Sequence, residues 1–532
     1  MNLIYGVKDR PRPGRLVLFA LQQLLAILAA TITVPMVVNN TPGMTGEMSI
    51  SAALFGAGAG TLVYQLFTKF RSPVFLGSSF AFINSMCAAF AGGVSMSLGS
   101  LGLIIGAVFA GLVYVVIAIA VKFAGVKWID KLMPAAVIGP TVALIGLSLA
   151  SSAIQNAVGG IDLNDLGSYT MNTNSILCLV CALFTFAVTV VCSVYGKKMM
   201  KMIPFIIGIL SGYALAAIFT GFSYLPGAEE MRIIDFTVFQ SMEWLPGFTF
   251  LEIFGGELLP TGGSIGAYIG TIAVAYIPVA FVVFAEHIAD HKNISSIIGT
   301  DLLRNPGLSR TLLGDGVGSM VGAVFGGCPN TTYGESIGCV AISGNASVIT
   351  IFVTALFAIV SSFIAPFMTF LSSIPGCVMG GVCIALYGFI AVSGLKMVQK
   401  VDLNDNGNLF TVSSILIAGV GSLALTFGKI TLTNIACALI LGILTNLLVN
   451  IRRKKNAKAE AADADVPAAE SAALESVGEG AESAAAAPAE ESAAQDPALP
   501  PAEESAERAD VPAAETDGEK ADGANTDGKG EE

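Results

Sequence analysis

Residues 284–293 read FAEHIADHKN and hold both histidines of the chain, His287 and His291, beside two acids, Glu286 and Asp290. They follow GAYIGTIAVAYIPVAFVV, residues 266–283, which carries no charge. Glu286 and Asp290 are four apart and share a helical face, and His287 and His291 share a neighbouring one. An acid at membrane depth is costly unless it faces a cavity, a partner or a ligand, so it is a functional candidate by default. There it can accept hydrogen bonds from a ligand, or take up and release a proton. The plainer reading is that the cluster sits near the inner end of its span, where charged side chains snorkel to the headgroups. For His291 snorkelling is the expected role. Glu335 has no such outlet: it is the lone acid in GGCPNTTYGESIGCVAISG, residues 326–344.

Other motifs carry less. The nine cysteines lie in or beside apolar spans and behave as small buried hydrophobes. Cys178 and Cys181 form a C-x-x-C, but no histidine or second pair accompanies them, so no metal or other cofactor is expected. DLNDNGNLFTVS, residues 402–413, opens like a calcium loop but ends on Ser413 where the loop needs Glu. GAGAGT, residues 56–61, lacks the lysine of a phosphate loop and reads as helix-packing glycine.

The elements that position the acids follow from composition. Of 532 residues 54% are hydrophobic and 12% charged, and apolar runs long enough to span a bilayer recur from Leu16 to Asn450. A hydrocarbon core of roughly 30 Å needs about 20 apolar residues in a helix. The chain is therefore an all-α polytopic membrane protein, not a soluble enzyme. Its net charge of −12 conceals two parts: residues 457–532 carry 21 acids against 4 bases, and the rest carries 18 acids against 23 bases. The tail, 451–532, is Ala/Glu-rich, too poor in large apolar residues to offset its ordering entropy, and is expected to be disordered and cytoplasmic. The basic N-terminus, 1–15, leads into an apolar run longer than a signal sequence needs, read as an uncleaved first span.

Lys and Arg mark cytoplasmic loops. They cluster at 8–15, Lys69/Arg71, Lys122/Lys127/Lys131, Lys197/Lys198/Lys201, Lys292/Arg304/Arg310, Lys396/Lys400 and 452–455. The loop region 222–268 is acidic instead and is placed outside, with both termini inside; Lys429 alone dissents. Counting two weak segments, SPVFLGSSFAFIN (72–84) and CPNTTYGESIGCV (328–340), gives fourteen spans. Both begin near a proline and are rich in small polar residues. MPAAVIGP (133–140) and IPGCVMGG (374–381) form a second matched pair, aligning Pro134 with Pro375, Val137 with Val378 and Gly139 with Gly380. Matched pairs in the same order indicate an internal duplication. With the charge map it is an inverted repeat of seven spans, 16–221, against seven, 269–450. Inverted repeats with interrupted segments are a transporter signature, the substrate lying where the broken elements meet. A channel would instead need a continuous polar path, and an anion carrier an uncompensated cation.

At these residues the chain resembles a family. AEHIADHKN…DLLRNPGLSRTLLGDG, GCPNTTYGESIG, LGSSFAFI and MGGVCIALYGFIAVSGL are similar to the nucleobase–ascorbate transporter (nucleobase–cation symporter-2) family, in its uracil permease branch. The resemblance covers about 1–450 and implies a core domain (spans 1–4 and 8–11) moving against a gate domain (spans 5–7 and 12–14), with short strands in elements 3 and 10. It implies that Glu286 and Glu335 hold a nucleobase, that the main chain at Phe80 and Gly334 and the side chains of Tyr333 and Tyr387 line the site, and that Glu286 and Asp290 serve proton coupling. Asp290 and Gln23 stand where some members have histidines. The implied activity is proton-coupled symport of uracil or a related pyrimidine through the cell membrane. The alternative is purine (xanthine or uric acid) symport, which YGESIG opposes, since purine carriers have glutamine at the position of Glu335. The expected partners are the nucleobase, a proton in preference to sodium, the lipid bilayer and a second copy of the chain as a homodimer; nucleic acid is not expected.

Overall fold

The structure is a computed structural model. It describes residues 3–464 apart from 42–46, 92–93, 126, 165–166, 198, 257, 259–263 and 428–429. Lys198, Glu257, Lys429 and the expected disordered tail beyond Ala464 lie outside the described residues. Residues 1–460 form one compact unit; of a second, 461–532, only the end of the last helix is described.

The first half runs through α1 (Pro13–Asn39), α2 (Ile50–Phe67), β1 (Leu76–Ser78), α3 (Ile83–Phe90), α4 (Met96–Ala124), α5 (Lys127–Leu132), α6 (Ala135–Ser148), α7 (Ala150–Ala157), α8 (Thr173–Tyr195), α9 (Met199–Met202) and α10 (Pro204–Phe222). A segment with short 3-10 turns and α11 (Thr249–Glu252) follows. The second half comprises α12 (Ile265–Ile298), α13 (Leu308–Gly326), β2 (Asn330–Thr332), α14 (Gly334–Ser343), α15 (Val348–Ser361), α16 (Ala365–Ser372), α17 (Gly376–Val398), α18 (Asn406–Val420), the antiparallel pair β3 (Leu425–Phe427) and β4 (Ile430–Leu432), and α19 (Asn434–Ala464). Among the described residues nine helices are long and apolar enough to cross a bilayer, or ten if α15 and α16, bent by 85°, make one span. The chain is a mostly helical membrane protein.

Local chemistry sets the ends. Ser49, Ser95 and Ser264 cap α2, α4 and α12 by accepting from backbone N–H groups of the first turn. The calcium-like acids at 402–405 do the same work: Asp405 caps α18 by accepting from Gly407 and Asn408. Pro134 and Pro375, matched in the sequence, stand as the residues before α6 and α17, where a missing N–H costs nothing. α14 stops at Gly344, whose φ of +66° closes the helix in a conformation that disfavours a Cβ.

Small residues let helices approach closely, as membrane interiors require. α2 and α13 meet through the glycines of GAGAGT. A Cβ on Gly56 would lie 2.4 Å from the carbonyl oxygen of Gly322, and one on Gly60 2.6 Å from that of Gly318. α6 and α17 do likewise, a Cβ on Gly394 falling 2.2 Å from the Ala143 nitrogen.

Candidate functional site

Three-residue strands in an apolar interior leave backbone groups that water cannot satisfy. β1 and β2 satisfy each other: they pair antiparallel, Leu76 opposite Thr332, Gly77 opposite Thr331 and Ser78 opposite Asn330. The pairing extends outward, the Ser79 N–H donating to Pro329 O (3.0 Å) and the Tyr333 N–H to Phe75 O (3.2 Å). α2 supplies the remaining partners. Thr61 Oγ1 accepts from the Leu76 N–H (2.9 Å), and Gln65 Nε2 donates to the carbonyls of Ser72 (2.9 Å) and Val74 (3.2 Å). Pro73 and Pro329 precede the strands and keep their neighbours extended.

Each strand hands the chain to a functional segment. β1 leads to Phe80, whose ring meets Tyr387 of α17 edge-on at 5.6 Å. β2 leads to Tyr333, the residue before α14; its hydroxyl donates to Ser78 O (2.8 Å) and its ring covers Gly77, where a Cβ would come within 2.3 Å of it. The first turn of α14 then faces open space, for Gly334 is exposed and a Cβ there would meet no atom within 4 Å. Glu335 lies in that turn, half-buried. α1 steadies it: Ser336 Oγ accepts from Gln23 Nε2 (2.6 Å) and from the Phe75 N–H (3.3 Å). Thus Gln23 ties the first helix to the segment that carries Glu335.

α12 brings the opening cluster alongside. Asp290 Oδ2 accepts from Thr332 Oγ1 of β2 (2.7 Å), so this acid is held by the strand pair. Glu286, one turn earlier and half-buried, lies within electrostatic range of Asp290 and Glu335. The sequence candidates Glu286, Asp290, Tyr333, Gly334, Glu335, Phe80 and Tyr387 are therefore all placed on or against the elements that meet at the β1–β2 pair. A cavity of about 510 Å³ opens elsewhere, between the end of α1, residues 47–51, residues 238–252, α16 and the start of α17, and none of these candidates lines it.

The histidines depart from expectation. His291 does not snorkel. It is fully buried, its ring stacked on His287 at 4.0 Å, its Nδ1 2.7 Å from the carbonyl of His287 and its Nε2 2.7 Å from the Tyr64 hydroxyl. The reason is length: the uncharged run ends at Ala285, but α12 continues to Ile298, and its two histidines reach Tyr64 of α2 and Asp315 of α13. His287 reaches an acid the sequence reading did not single out, Asp315 of α13, with Nδ1 2.7 Å from Oδ2 and Nε2 3.0 Å from Thr311 Oγ1. Asp315 is fully buried. The available signal was its isolation: it is the only charge in the helix after Arg310. Thr332, Thr61 and Gln65 were missed too, since nothing in their local sequence announces a strand partner.

Two carboxylates beside an open helix N-terminus, walled by aromatic rings, suit a small planar ligand. The carboxylates can accept from its N–H groups, the free amides of the helix start can donate to its carbonyls, and the rings can pack on its face. Among the described residues no three His, Cys, Asp or Glu side chains group as metal ligands. Many apolar spans, two broken elements paired through short strands, and half-buried acids where those elements meet describe a membrane-embedded protein with an interior polar site.

The comparisons give the family. The chain matches, over residues 14–427, the model of a family described as a permease family, and it belongs to that family. It is 37% identical over 450 residues to the uracil permease of Bacillus caldolyticus, covering 84% of this chain and 94% of that one. It is 34% identical over 473 residues to the uracil permease of Escherichia coli (strain K12), covering 87% and 98%. In fold it is similar to the transmembrane domain of a cyanobacterium bicarbonate transporter, BicA, with a TM-score of 0.53 at 15% identity over 84% of this chain and all of that one. It is likewise similar to the murine anion transporter Slc26a9 in its inward-facing state, with a TM-score of 0.55 at 13% identity over 84% of this chain and 69% of that one. At such identities the likeness is one of fold alone.

Proposed function

We propose that this permease carries uracil, or a closely related pyrimidine, into the cell by proton-coupled alternating access. The observation that carries the reading is the first turn of α14, where half-buried Glu335 stands beside the open backbone of Gly334 and within electrostatic range of Glu286. Uracil presents two ring N–H donors, which suit Glu286 and Glu335, and two carbonyls, which suit main-chain donors at Phe80 and Gly334. Tyr333, Tyr387 and Phe80 give its flat face aromatic walls. The relatives that are uracil permeases, aligned over nearly their whole length, support this substrate over a purine.

The finer architecture belongs to the same reading. Seven spans, 16–221, oppose seven inverted ones, 269–450, with both termini cytoplasmic in the cell membrane. Spans 1–4 and 8–11 form a core that moves against a gate of spans 5–7 and 12–14, in a homodimer. The matched prolines before α6 and α17, and the pairing of one strand from each half, support the duplication. Proton coupling runs through Glu286. Protonated, it favours loading from outside; deprotonated toward the cytoplasm, it releases the substrate. Asp290, held by Thr332, tunes Glu286 and does not touch the ligand. Competition decides the substrate: unlabelled uracil should abolish uptake of labelled uracil by membrane vesicles, and xanthine and uric acid should not. Uptake of xanthine that uracil fails to inhibit would replace this reading with the purine one.

A further inference from the structure

Residues 3–9 precede the first helix, yet they are bound to the far end of the element that carries Glu335. The N–H groups of Ile4 and Tyr5 both donate to Gly344 O, at 2.7 and 3.2 Å. Tyr5 pairs in parallel with Asn345, and the N–H groups of Ala346 and Val348 donate back to Tyr5 O (2.9 Å) and Val7 O (3.1 Å). Ser347 Oγ donates to Asp9 O (2.6 Å), and Asp9 in turn accepts from the Gly6 N–H (2.7 Å), closing the segment on itself. Leu3 and Val7 pack on a small apolar cluster that includes Val74 and Leu76 of the first broken element and Ile337 and Val340 of α14. Tyr5 also meets Phe19 of α1 edge-on, and its hydroxyl accepts from Arg15.

α14 is ten residues long, and its two ends are tied to the same helix by different means. At its first turn Gln23 of α1 bonds Ser336. Just past its last turn the segment leading into α1 adds a strand to the linker 344–348. A short helix beginning on a strand and ending on a glycine has little of its own to resist rocking, since isolated helices of this length are marginal. We propose that residues 3–9 are a positioning strap: by strand addition to 344–348 they fix the tilt of α14 and so hold Glu335 where the ligand needs it. Ile4 and Tyr5 act through their N–H groups and not through contact with substrate. The lever is main-chain pairing, so side-chain identity matters little; Ile4 is 62% exposed.

This rests on the assignment of Glu335 to the ligand site, and the test separates the two. Ile4→Pro removes one N–H donor to Gly344, while Ile4→Ala keeps it. Amide exchange of purified full-length protein, which needs no substrate, should show faster exchange at 335–343 in Ile4→Pro but not in Ile4→Ala, with 50–67 of α2 unchanged in both. Uracil uptake should then show a half-saturation concentration roughly three- to tenfold higher in Ile4→Pro, with maximal rate per molecule and membrane abundance near the parent's, the size expected when one net hydrogen bond's worth of preorganisation is lost. Unchanged exchange at 335–343 overturns the strap, as does equally fast exchange there in Ile4→Ala. Faster exchange there with unaltered half-saturation leaves the strap standing as a structural tie and overturns the role of Glu335 in binding.

Discussion

Glu335 bears the most weight of any single side chain. A half-buried carboxylate in the first turn of α14 gains from the helix dipole and offers acceptors to a ligand without needing a partner from the protein. Replacing it by Ala leaves the bound ligand's donors unpaired, an expected loss of about 2–5 kcal/mol in binding. Equilibrium binding of labelled uracil to purified protein measures it; parent-like affinity in Glu335→Ala would remove this residue from the site. Glu286→Gln separates binding from coupling, because the amide mimics a neutral acid that cannot titrate. It should keep part of the affinity and lose concentrative uptake, which paired binding and uptake assays read. At this scale an acid interrupting an apolar run marked Glu286, Asp290 and Glu335, which the structure gathers about the β1–β2 pair. The sequence reading failed for His291 because hydropathy measures distance to the end of the oily stretch, and α12 outruns that stretch by thirteen residues. It failed for Asp315 because glycines on both sides of it break up the apolar run that would have set the acid off.

The broken elements hold these residues, and glycine decides whether they fit. Asn330 of β2 donates to Gly56 O (2.9 Å) in the crevice between α2 and α13, and a Cβ on Gly60 would meet its Nδ2 at 2.5 Å as well as the Gly318 carbonyl. The obstacles include backbone, so they cannot rotate away. Gly60→Ala should cost about 1–3 kcal/mol through overpacking, read as a lower melting temperature of the detergent-solubilised protein. Gly14→Ala, where a Cβ would meet nothing within 4 Å, is the control and should leave melting unchanged. Equal melting of Gly60→Ala and parent would mean the α2–α13 contact is looser than described. Prolines and small polar residues marked both broken segments in the sequence, but not that each holds a strand. Three residues are too few for a period, and the pairing that makes them strands joins positions more than 250 residues apart.

The whole molecule divides by charge. The spanning part carries the helices, the strand pair and every site residue, while the region from 457 carries 21 acids against 4 bases and few large apolar residues. Deletion after Lys455 should leave uracil uptake per molecule within about twofold of the parent, since every candidate ligand residue lies N-terminal to it and a segment of that composition buries too little apolar surface to order itself. A severe loss of uptake at unchanged membrane abundance would show that the acidic region acts on the transport cycle. The most direct measurement of the account is concentrative uptake of labelled uracil by proteoliposomes holding the purified chain, under an imposed gradient of either protons or sodium. An inward proton gradient should drive uracil above its external concentration, collapse of that gradient should abolish the accumulation, and a sodium gradient alone should drive none. Accumulation that follows sodium and ignores protons, or equilibration of uracil without accumulation under either gradient, would contradict a proton-coupled uracil carrier.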